Sequence, residues 1–265
     1  MDITIFIFIL LAIFLGALVR TYFGFGEALI SMPLLALIGL DIKTAISLVG
    51  IAGLTVALFN IFSEMKHIKY KTLAVMMSGS LIGIPIGIWI LHHFDTGKIQ
   101  LLLAIFLIFY GIYAFIKTVF LTHHAKIKLK SSLWEGLAGL VSGVLGSVYN
   151  SHGVPIVIFG TLSQWHIKDF KSTIQAHFLL TAIFVVIGQM LGGIWTSQTI
   201  QLFLATLPVL IVAVLLGKYL SKKTHHNHFE KWIYIFIVIL GILMLSTQWL
   251  DFILLASENK DLNII

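Results

Sequence analysis

Cysteine is absent from this chain, and charged residues are scarce. None of the 265 residues is a cysteine, only 11% carry a charge and 59% are hydrophobic, with a mean hydropathy of +1.03. Without cysteine the chain can form neither a disulfide nor a thiolate metal site. Because a soluble domain is usually about 25% charged, this chain has too few charges to cover a water-facing surface. The composition predicts an all-α integral membrane protein that lies in the lipid bilayer.

Proline is also rare, and its few positions are informative. Pro33 and Pro155 lie 122 residues apart, Pro85 and Pro208 lie 123 apart, and all four stand in apolar stretches. The matched spacing predicts that one unit, slightly longer than this spacing, occurs twice. In an apolar chain, a duplicated unit interrupted by glycine and proline is typical of a secondary transporter.

Glycines support the same duplication. Gly24 and Gly26 precede the first proline of one pair, and Gly143 and Gly146 precede its partner. We therefore predict two transmembrane repeats that together form one membrane domain. Their bounds are 1–125 and 126–265.

The apolar runs are of two lengths. A helix that crosses the hydrocarbon core needs about 20 apolar residues, but Ala28–Leu40 and Gly153–Gln164 are much shorter. Each short run follows a glycine-rich break and carries a proline near its start, where proline fits the first turn of a helix. Each repeat is then a Gly/Pro-broken helical hairpin plus three transmembrane helices, which gives eight to ten membrane segments. The longer runs are Ile3–Tyr22, Thr44–Ser63, Thr72–Leu91, Ile99–Phe120, Leu133–Val148, Thr173–Trp195, Ile200–Gly217 and Trp232–Leu250.

Lysine placement predicts the orientation, because cytoplasmic loops carry an excess of lysine and arginine. If each short run forms a hairpin with the segment before it, twelve lysines share one side, against Lys43, Lys98 and Lys260 on the other. The lysine-rich side is then cytoplasmic and both termini are extracytoplasmic. The second repeat enters from the opposite side, which makes the repeats inverted. The twelve are Lys66, Lys69, Lys71, Lys126, Lys128, Lys130, Lys168, Lys171, Lys218, Lys222, Lys223 and Lys231.

Glu27 is an acidic residue in an apolar stretch, next to the first glycine-rich break. A carboxylate at membrane depth costs several kcal/mol unless it is paired, hydrated or protonated, so it is a functional candidate. Two structural roles are the alternatives. Glu27 could form an ion pair with Arg20, or it could complement the dipole at the N-terminus of a half-helix.

The second break carries a cluster of polar residues in place of the single carboxylate. We expect this cluster to line a substrate site, because so many polar side chains are hard to explain by packing at membrane depth. The alternative is a set of satisfied polar groups at a helix junction. The cluster consists of Ser147, Tyr149, Asn150, Ser151 and His152.

The breaks suit anion binding. The N-terminus of a half-helix exposes unpaired backbone N–H groups, and glycines such as Gly24 and Gly26 let an oxyanion approach the backbone. Two inverted half-helices would make one shared anion site. His152 is a candidate hydrogen-bond donor or proton carrier, since histidine ordinarily titrates near neutral pH. Glu27 and His152 are therefore the residues expected to couple protons to the substrate.

Gln175 and His177 also lie in an apolar segment, but helical spacing puts them on different faces. At most one is expected to line a path, and Gln175 is included among the substrate-binding candidates. No nucleophile elbow, phosphate loop or His-Glu-x-x-His is present, so we expect no enzymatic activity, no cofactor and no metal. The lysines lie in short loops, which does not indicate nucleic-acid binding.

The run from Gly24 through Glu27 to Pro33, and its counterpart from Gly143 to Pro155, resemble the TauE/SafE family of membrane permeases. The resemblance covers essentially the whole chain, although Glu27 stands where the family has a glycine. It implies a multi-pass transporter in the cytoplasmic membrane of a bacterium or archaeon. The implied substrate is a small anion such as sulfite or a sulfonate. From the two polar breaks themselves we expect this anion to move by alternating access, with protons coupled through Glu27 or His152.

Other functions stay open from the residues themselves. An ionised Glu27 facing the path would suit a transporter or channel for a cation or a neutral solute. An intramembrane enzyme or a non-transporting scaffold would be a different class. Against the enzyme stands the lack of a nucleophile–base pair or a metal set, and against the scaffold stands the stability cost of two polar breaks.

Overall fold

The computed structural model describes residues 2–60, 67–120, 131–163, 165–223 and 230–261. All regular elements in these ranges are helices. They are α1 (Ile3–Phe23), α2 (Glu27–Leu37), α3 (Ile42–Asn60), α4 (Tyr70–His93), α5 (Thr96–Phe120), α6 (Ser132–Tyr149), α7 (Gly153–Leu162), α8 (Ile167–Leu191), α9 (Ser197–Lys223) and α10 (Glu230–Asp261). Some predicted positions lie outside these ranges, namely Ser63, Lys66, the boundary between 125 and 126, Lys126, Lys128, Lys130 and Gln164.

The predicted order of long and short segments agrees with the helices. Six described helices, α1, α3, α4, α5, α8 and α9, are long and apolar enough to cross a membrane. The helices α2 and α7, together with the stretch Lys231–Thr247 of α10, are apolar but shorter. The predicted span Leu133–Val148 corresponds to α6, which has 18 residues. This helix is not among the six, because its glycines and Glu135 in the first turn lower its mean hydropathy. The chain is therefore an all-α integral membrane protein.

Left-handed backbone separates each short helix from the long helix before it. Gly24 has φ 87° and Gly26 has φ 97°, and these two residues end α1 and precede α2. At the second break Asn150 takes φ 56° and ends α6. Glycine adopts this conformation at no steric cost, and asparagine is among the few other residues that tolerate it. In both hairpins, residues with left-handed backbone thus end the long helix before the short helix begins.

Pro33 does not lie in the first turn of its helix, and that part of the sequence prediction is wrong. Helix α2 starts at Glu27, directly after the left-handed Gly26, so Pro33 is inside the helix. Pro155 is the third residue of α7, where its missing N–H costs nothing. Counted from the first residue of each helix, Pro33 therefore lies about one helical turn further along α2 than Pro155 lies along α7.

The helix α6 packs closely on α4 through glycines. A side-chain carbon on Gly79 or Gly83 would meet the backbone of α6, and one on Gly139 or Gly143 would meet the backbone of α4. Small residues of this kind let transmembrane helices approach closely. The contact joins the two halves of the chain, and its counterpart is the packing of α9 on α1.

Contacts at both ends show that α3 and α9 run in the same direction. Near their starts, the hydroxyls of Thr44 and Thr196 lie 2.9 Å apart. Near their ends, Nζ of Lys218 donates to the carbonyl of Phe59 at 2.8 Å. Because Thr196 follows the end of α8, α8 ends where α3 begins. The helices α3 and α8 therefore run in opposite directions.

The helices α4 and α8 also run in the same direction. The N–H of Lys69 donates to Oγ1 of Thr173 at 3.0 Å near their starts, and Nε2 of His92 lies 2.7 Å from the carbonyl of Gly192 at their ends. In a duplicated fold, α3 would be equivalent to α8 and α4 to α9. The two-fold axis that relates the repeats would then place the pair α3–α9 on the pair α8–α4. These contacts support inverted repeats, which stay a prediction.

Candidate functional site

The two helix breaks line the same buried pocket. Glu27 at the N-terminus of α2 and Gly153 at the N-terminus of α7 both border it, with Asn150, Ser151 and His152 of the second break. The cavity volume is about 20 Å³, which is room for about one water molecule. Both breaks thus border one pocket, and a substrate site shared by them stays a prediction.

Arg20 and Glu27 form a buried ion pair in this pocket. Arg20 Nη1 lies 3.0 Å from Glu27 Oε2, and the side chains are only 6% and 3% exposed. Arginine and carboxylate often pair through two parallel bonds, but here a single bond joins them. Arg20 Nη2 and Glu27 Oε1 are both buried and have no hydrogen-bond partner among the described residues. Each partner therefore keeps one buried polar atom unused.

The pair lies against a glycine of α3. A side-chain carbon on Gly53 would lie 3.0 Å from Glu27 Oε2 and 3.1 Å from Arg20 Nη1. Gly50, one turn earlier, leaves room in the same way for Gln189 Oε1 and Asn150 Oδ1, at 2.7 Å and 2.9 Å. Both glycines border a second small pocket that adjoins the first. Without them α3 could not pack against either polar pair.

Asn150 is held by groups on two other helices. Its Nδ2 donates to the carbonyl of Ile46 at 2.7 Å, and its Oδ1 accepts from Gln189 Nε2 at 3.2 Å. Gln189 Nε2 also donates to the carbonyl of Ser147 at 3.1 Å. We expected Asn150 to line a substrate site, but its side-chain amide is hydrogen-bonded to the protein in this conformation. It positions the second break.

His152 presents an unused nitrogen to the site. The residue is 5% exposed, and its Nδ1 has no hydrogen-bond partner among the described residues. Its ring stands edge-on to Phe178, with centroids 5.6 Å apart. The backbone beside it is fixed, because Ser142 Oγ donates to the His152 carbonyl at 2.6 Å. The imidazole is therefore held at the pocket with one nitrogen available.

The site thus combines two helix N-termini, a guanidinium with a free N–H group and an imidazole with a free nitrogen, all within one pocket. Comparison with known proteins identifies the family. The family profile described as Sulfite exporter TauE/SafE matches residues 8–244. The chain belongs to the sulfite exporter TauE/SafE family. Its members are membrane transporters of sulfite and related anions, which accords with a multi-pass membrane protein. No curated protein and no solved structure matches the chain.

Within this TauE/SafE chain, several predicted site residues lie beside the pocket rather than in it. Ser147 Oγ donates to carbonyls of its own helix, at Gly143 and Val144. Tyr149 OH donates to the carbonyl of Ile99 at 2.9 Å, at the start of α5. Neither side chain borders the two pockets described above. Both fix the end of α6.

Gln175 supports the first break from outside the pocket. Its Nε2 donates to the carbonyl of Gly24 at 3.1 Å. His177 is fully buried elsewhere, with Nε2 3.0 Å from Ser80 Oγ, beside Thr181. Both glutamines of α8, Gln175 and Gln189, thus bond to carbonyls at the breaks.

Sequence reasoning missed part of the site in this member of the TauE/SafE family. Arg20 entered only as a pairing partner for Glu27, although it is the cation that borders the pocket and its Nη2 has no hydrogen-bond partner among the described residues. A signal was present, because an arginine near the end of a long apolar run is as costly as a glutamate. Gly50 and Gly53 gave a weaker signal, since glycines four or fewer residues apart in a transmembrane helix often mark a close contact.

Proposed function

We propose that the chain is a secondary transporter that binds a small oxyanion, of the sulfite or sulfonate type, in the pocket between the N-termini of α2 and α7. The observation that carries the proposal is the convergence of both helix N-termini on one pocket with Arg20 Nη2 and His152 Nδ1. Both helices are long enough for their N-termini to attract an anion, with 11 and 10 residues.

The charges favour an anion over a cation. A cation would need the Glu27 carboxylate, but that carboxylate is already bonded to Arg20 at 3.0 Å. The unused groups of Arg20 donate hydrogen bonds, and guanidinium is well suited to oxyanions. Neither short helix has a side chain that caps its N-terminus, so backbone N–H groups at the break are available as well.

The small volume of the pocket supports alternating access. The space holds about one water molecule, and a sulfur oxyanion with three oxygens is larger. An anion therefore enters only when the helices around the pocket separate. We assign the described conformation to a closed state between outward-open and inward-open states, as expected for a site at the interface of two repeats.

Ligand binding to the purified protein tests this proposal. The panel is sulfite, thiosulfate, sulfoacetate, taurine and acetate, measured by thermal unfolding in detergent. A ligand present at about 100 times its dissociation constant stabilises the native state by about 2.7 kcal/mol. We expect at least one sulfur oxyanion to raise the midpoint while acetate has less effect.

A matched pair of histidine variants locates the binding site. His152→Ala should weaken binding by about 1–3 kcal/mol, the usual cost of losing a buried hydrogen-bond partner. The control is His93→Ala, since His93 is exposed and its Nδ1 bonds only to the carbonyl of Trp89. The proposal is wrong if no anion of the panel stabilises the protein, or if the two variants bind equally well.

A further inference from the structure

The charge of the buried site points to the proton as a co-substrate. We propose that each anion enters this site together with as many protons as it carries negative charges, because the Glu27 carboxylate already neutralises Arg20. The inference rests on the proposed function of the pocket as an anion site. It deepens that function by naming the coupling ion and the group that requires it.

The charge count starts from the ion pair. Arg20 contributes one positive charge and Glu27 one negative charge, and they are in contact at 3.0 Å. The other titratable group that borders the pocket is His152, which faces it from the second break. With a neutral imidazole the site has no net charge. A monovalent anion would then give the site a net negative charge, which the dipoles of the two helix N-termini offset only in part and no side chain neutralises, and a buried net charge is unfavourable.

The other side chains around the pocket cannot supply that compensation. From α3 the pockets are bordered by Val49, Gly50 and Gly53, none of which carries a charge. From α8 they are bordered by Phe178, Ala182 and Val185. His177 lies behind the Phe178 ring, with centroids 6.5 Å apart, and is hydrogen-bonded to Ser80. Among the described residues that border the pocket, Glu27 and His152 are the groups on which a proton would restore neutrality.

Glu27 is suited to take the proton because its pairing is incomplete. Oε1 has no hydrogen-bond partner among the described residues, while Oε2 holds Arg20. When a proton adds to Oε1, a new O–H bond forms and the carboxyl group becomes neutral. Arg20 then keeps its full positive charge for the anion, which can bind the free Nη2. The overall step adds one monovalent anion and one proton, and the charge of the site is unchanged.

Replacement of Glu27 by glutamine reverses the charge count. In Glu27→Gln the site has one positive charge before the anion binds and none afterwards. The variant should therefore bind a monovalent anion without a proton, and at least as tightly as the parent protein. If Glu27 only held α1 and α2 together, its replacement by glutamine would not change the number of protons taken up.

Calorimetry counts the protons directly. Sulfite is titrated into the full-length protein at mildly acidic pH, where it is the monovalent hydrogen sulfite ion, in two buffers that differ in ionisation enthalpy. The parent protein should take up about one proton per bound anion, and Glu27→Gln about none. The matched control is Glu135→Gln, because Glu135 lies away from the pocket and accepts a hydrogen bond from Thr72. It should behave like the parent.

Transport currents give an independent measurement. Proteoliposomes on a solid support receive a jump in sulfite concentration, with protein-free vesicles as blank. The parent protein should give no net charge movement, since anion and proton cross together, whereas Glu27→Gln should give a current with the sign of the entering anion.

The outcomes separate this inference from the proposed function. If sulfite and the other anions fail to bind the parent protein, the proposed function is wrong and the inference fails with it. If sulfite binds the parent without proton uptake, or carries a current there, the anion site stands and the inference is overturned. Proton uptake that persists in Glu27→Gln overturns it as well. Should Glu27→Gln not fold, the two measurements on the parent protein decide.

Discussion

Gln175 Nε2 donates a hydrogen bond to the Gly24 carbonyl at 3.1 Å, so a helix of the second half holds the helix break of the first half. On the same helix, Gln189 Nε2 donates to the Ser147 carbonyl at 3.1 Å, close to the second break. One helix, α8, is therefore bonded to both breaks. A shift of α8 relative to α3 would therefore change both sides of the pocket together.

Gln175→Leu removes the bond to the first break. The Gly24 carbonyl then loses its side-chain partner, and we expect a loss of about 1 kcal/mol in stability, the usual net value of one hydrogen bond. Thermal unfolding in detergent measures the loss. The control is Gln201→Leu, because Gln201 lies exposed near the start of α9. Equal midpoints for the two variants would show that Gln175 does not hold the break.

The sequence was sufficient to predict the helices and their breaks. The ten helices of the described residues match predicted segments, and both breaks fall where glycine-rich or polar residues interrupt an apolar run. These features have local causes, since apolar length sets a membrane helix and left-handed backbone favours Gly24, Gly26 and Asn150. The position of Pro33 within α2 was missed because the helix starts earlier, at Glu27.

The partners of the polar side chains could not be predicted in the same way. Asn150 was expected to line a substrate site, and its side chain donates to Ile46, which is 104 residues away in the chain. That bond exists only because α3 packs closely enough at Gly50. Packing of distant helices thus decides which polar groups are used up and which, such as Arg20 Nη2, are available. Residue type and spacing along one chain carry little of that information.

Gly53→Ala should disturb the ion pair directly. The added methyl group would lie 3.0 Å from Glu27 Oε2 and 3.1 Å from Arg20 Nη1, which is closer than ordinary contact. Overpacking of this kind costs about 1–3 kcal/mol. The expected result is a lower unfolding midpoint and weaker anion binding.

Gly136→Ala is the matched control for this variant. It lies within α6, and the nearest side chain to an added carbon, that of Val75, is 3.9 Å away. Because alanine favours a helix by up to about 1 kcal/mol over glycine, the control should be neutral or slightly stabilising. If Gly53→Ala matches it in stability and binding, the pocket tolerates a displaced ion pair.

The orientation in the membrane is predicted from the lysines. Lys69 at the start of α4 is bonded to Thr173 near the start of α8, and it forms a 3.3 Å ion pair with Asp169. Lys218 near the end of α9 contacts the end of α3. These residues belong to the lysine-rich side, which we predict to be cytoplasmic. A reporter that fluoresces only in the cytoplasm, fused behind α10, should stay dark, and a bright fusion would reverse the orientation.

The absence of native cysteine allows the inverted repeat to be tested by crosslinking. The hydroxyls of Ser47 and Thr199 lie 2.7 Å apart between α3 and α9, and Thr181 Oγ1 lies 3.5 Å from Met77 Sδ between α8 and α4. If the two halves are equivalent, these helix pairs exchange. The double variant Ser47→Cys with Thr199→Cys should form a disulfide in membranes. Met77→Cys with Thr181→Cys should be joined by a short bifunctional thiol reagent, because the methionine side chain that makes the contact is longer than cysteine. In the control, Ser47→Cys with Thr206→Cys, the second cysteine is two helical turns, about 10 Å, further along α9, too far for a disulfide. Failure of either pair, or an equally crosslinked control, would contradict the parallel packing on which the inverted repeat depends.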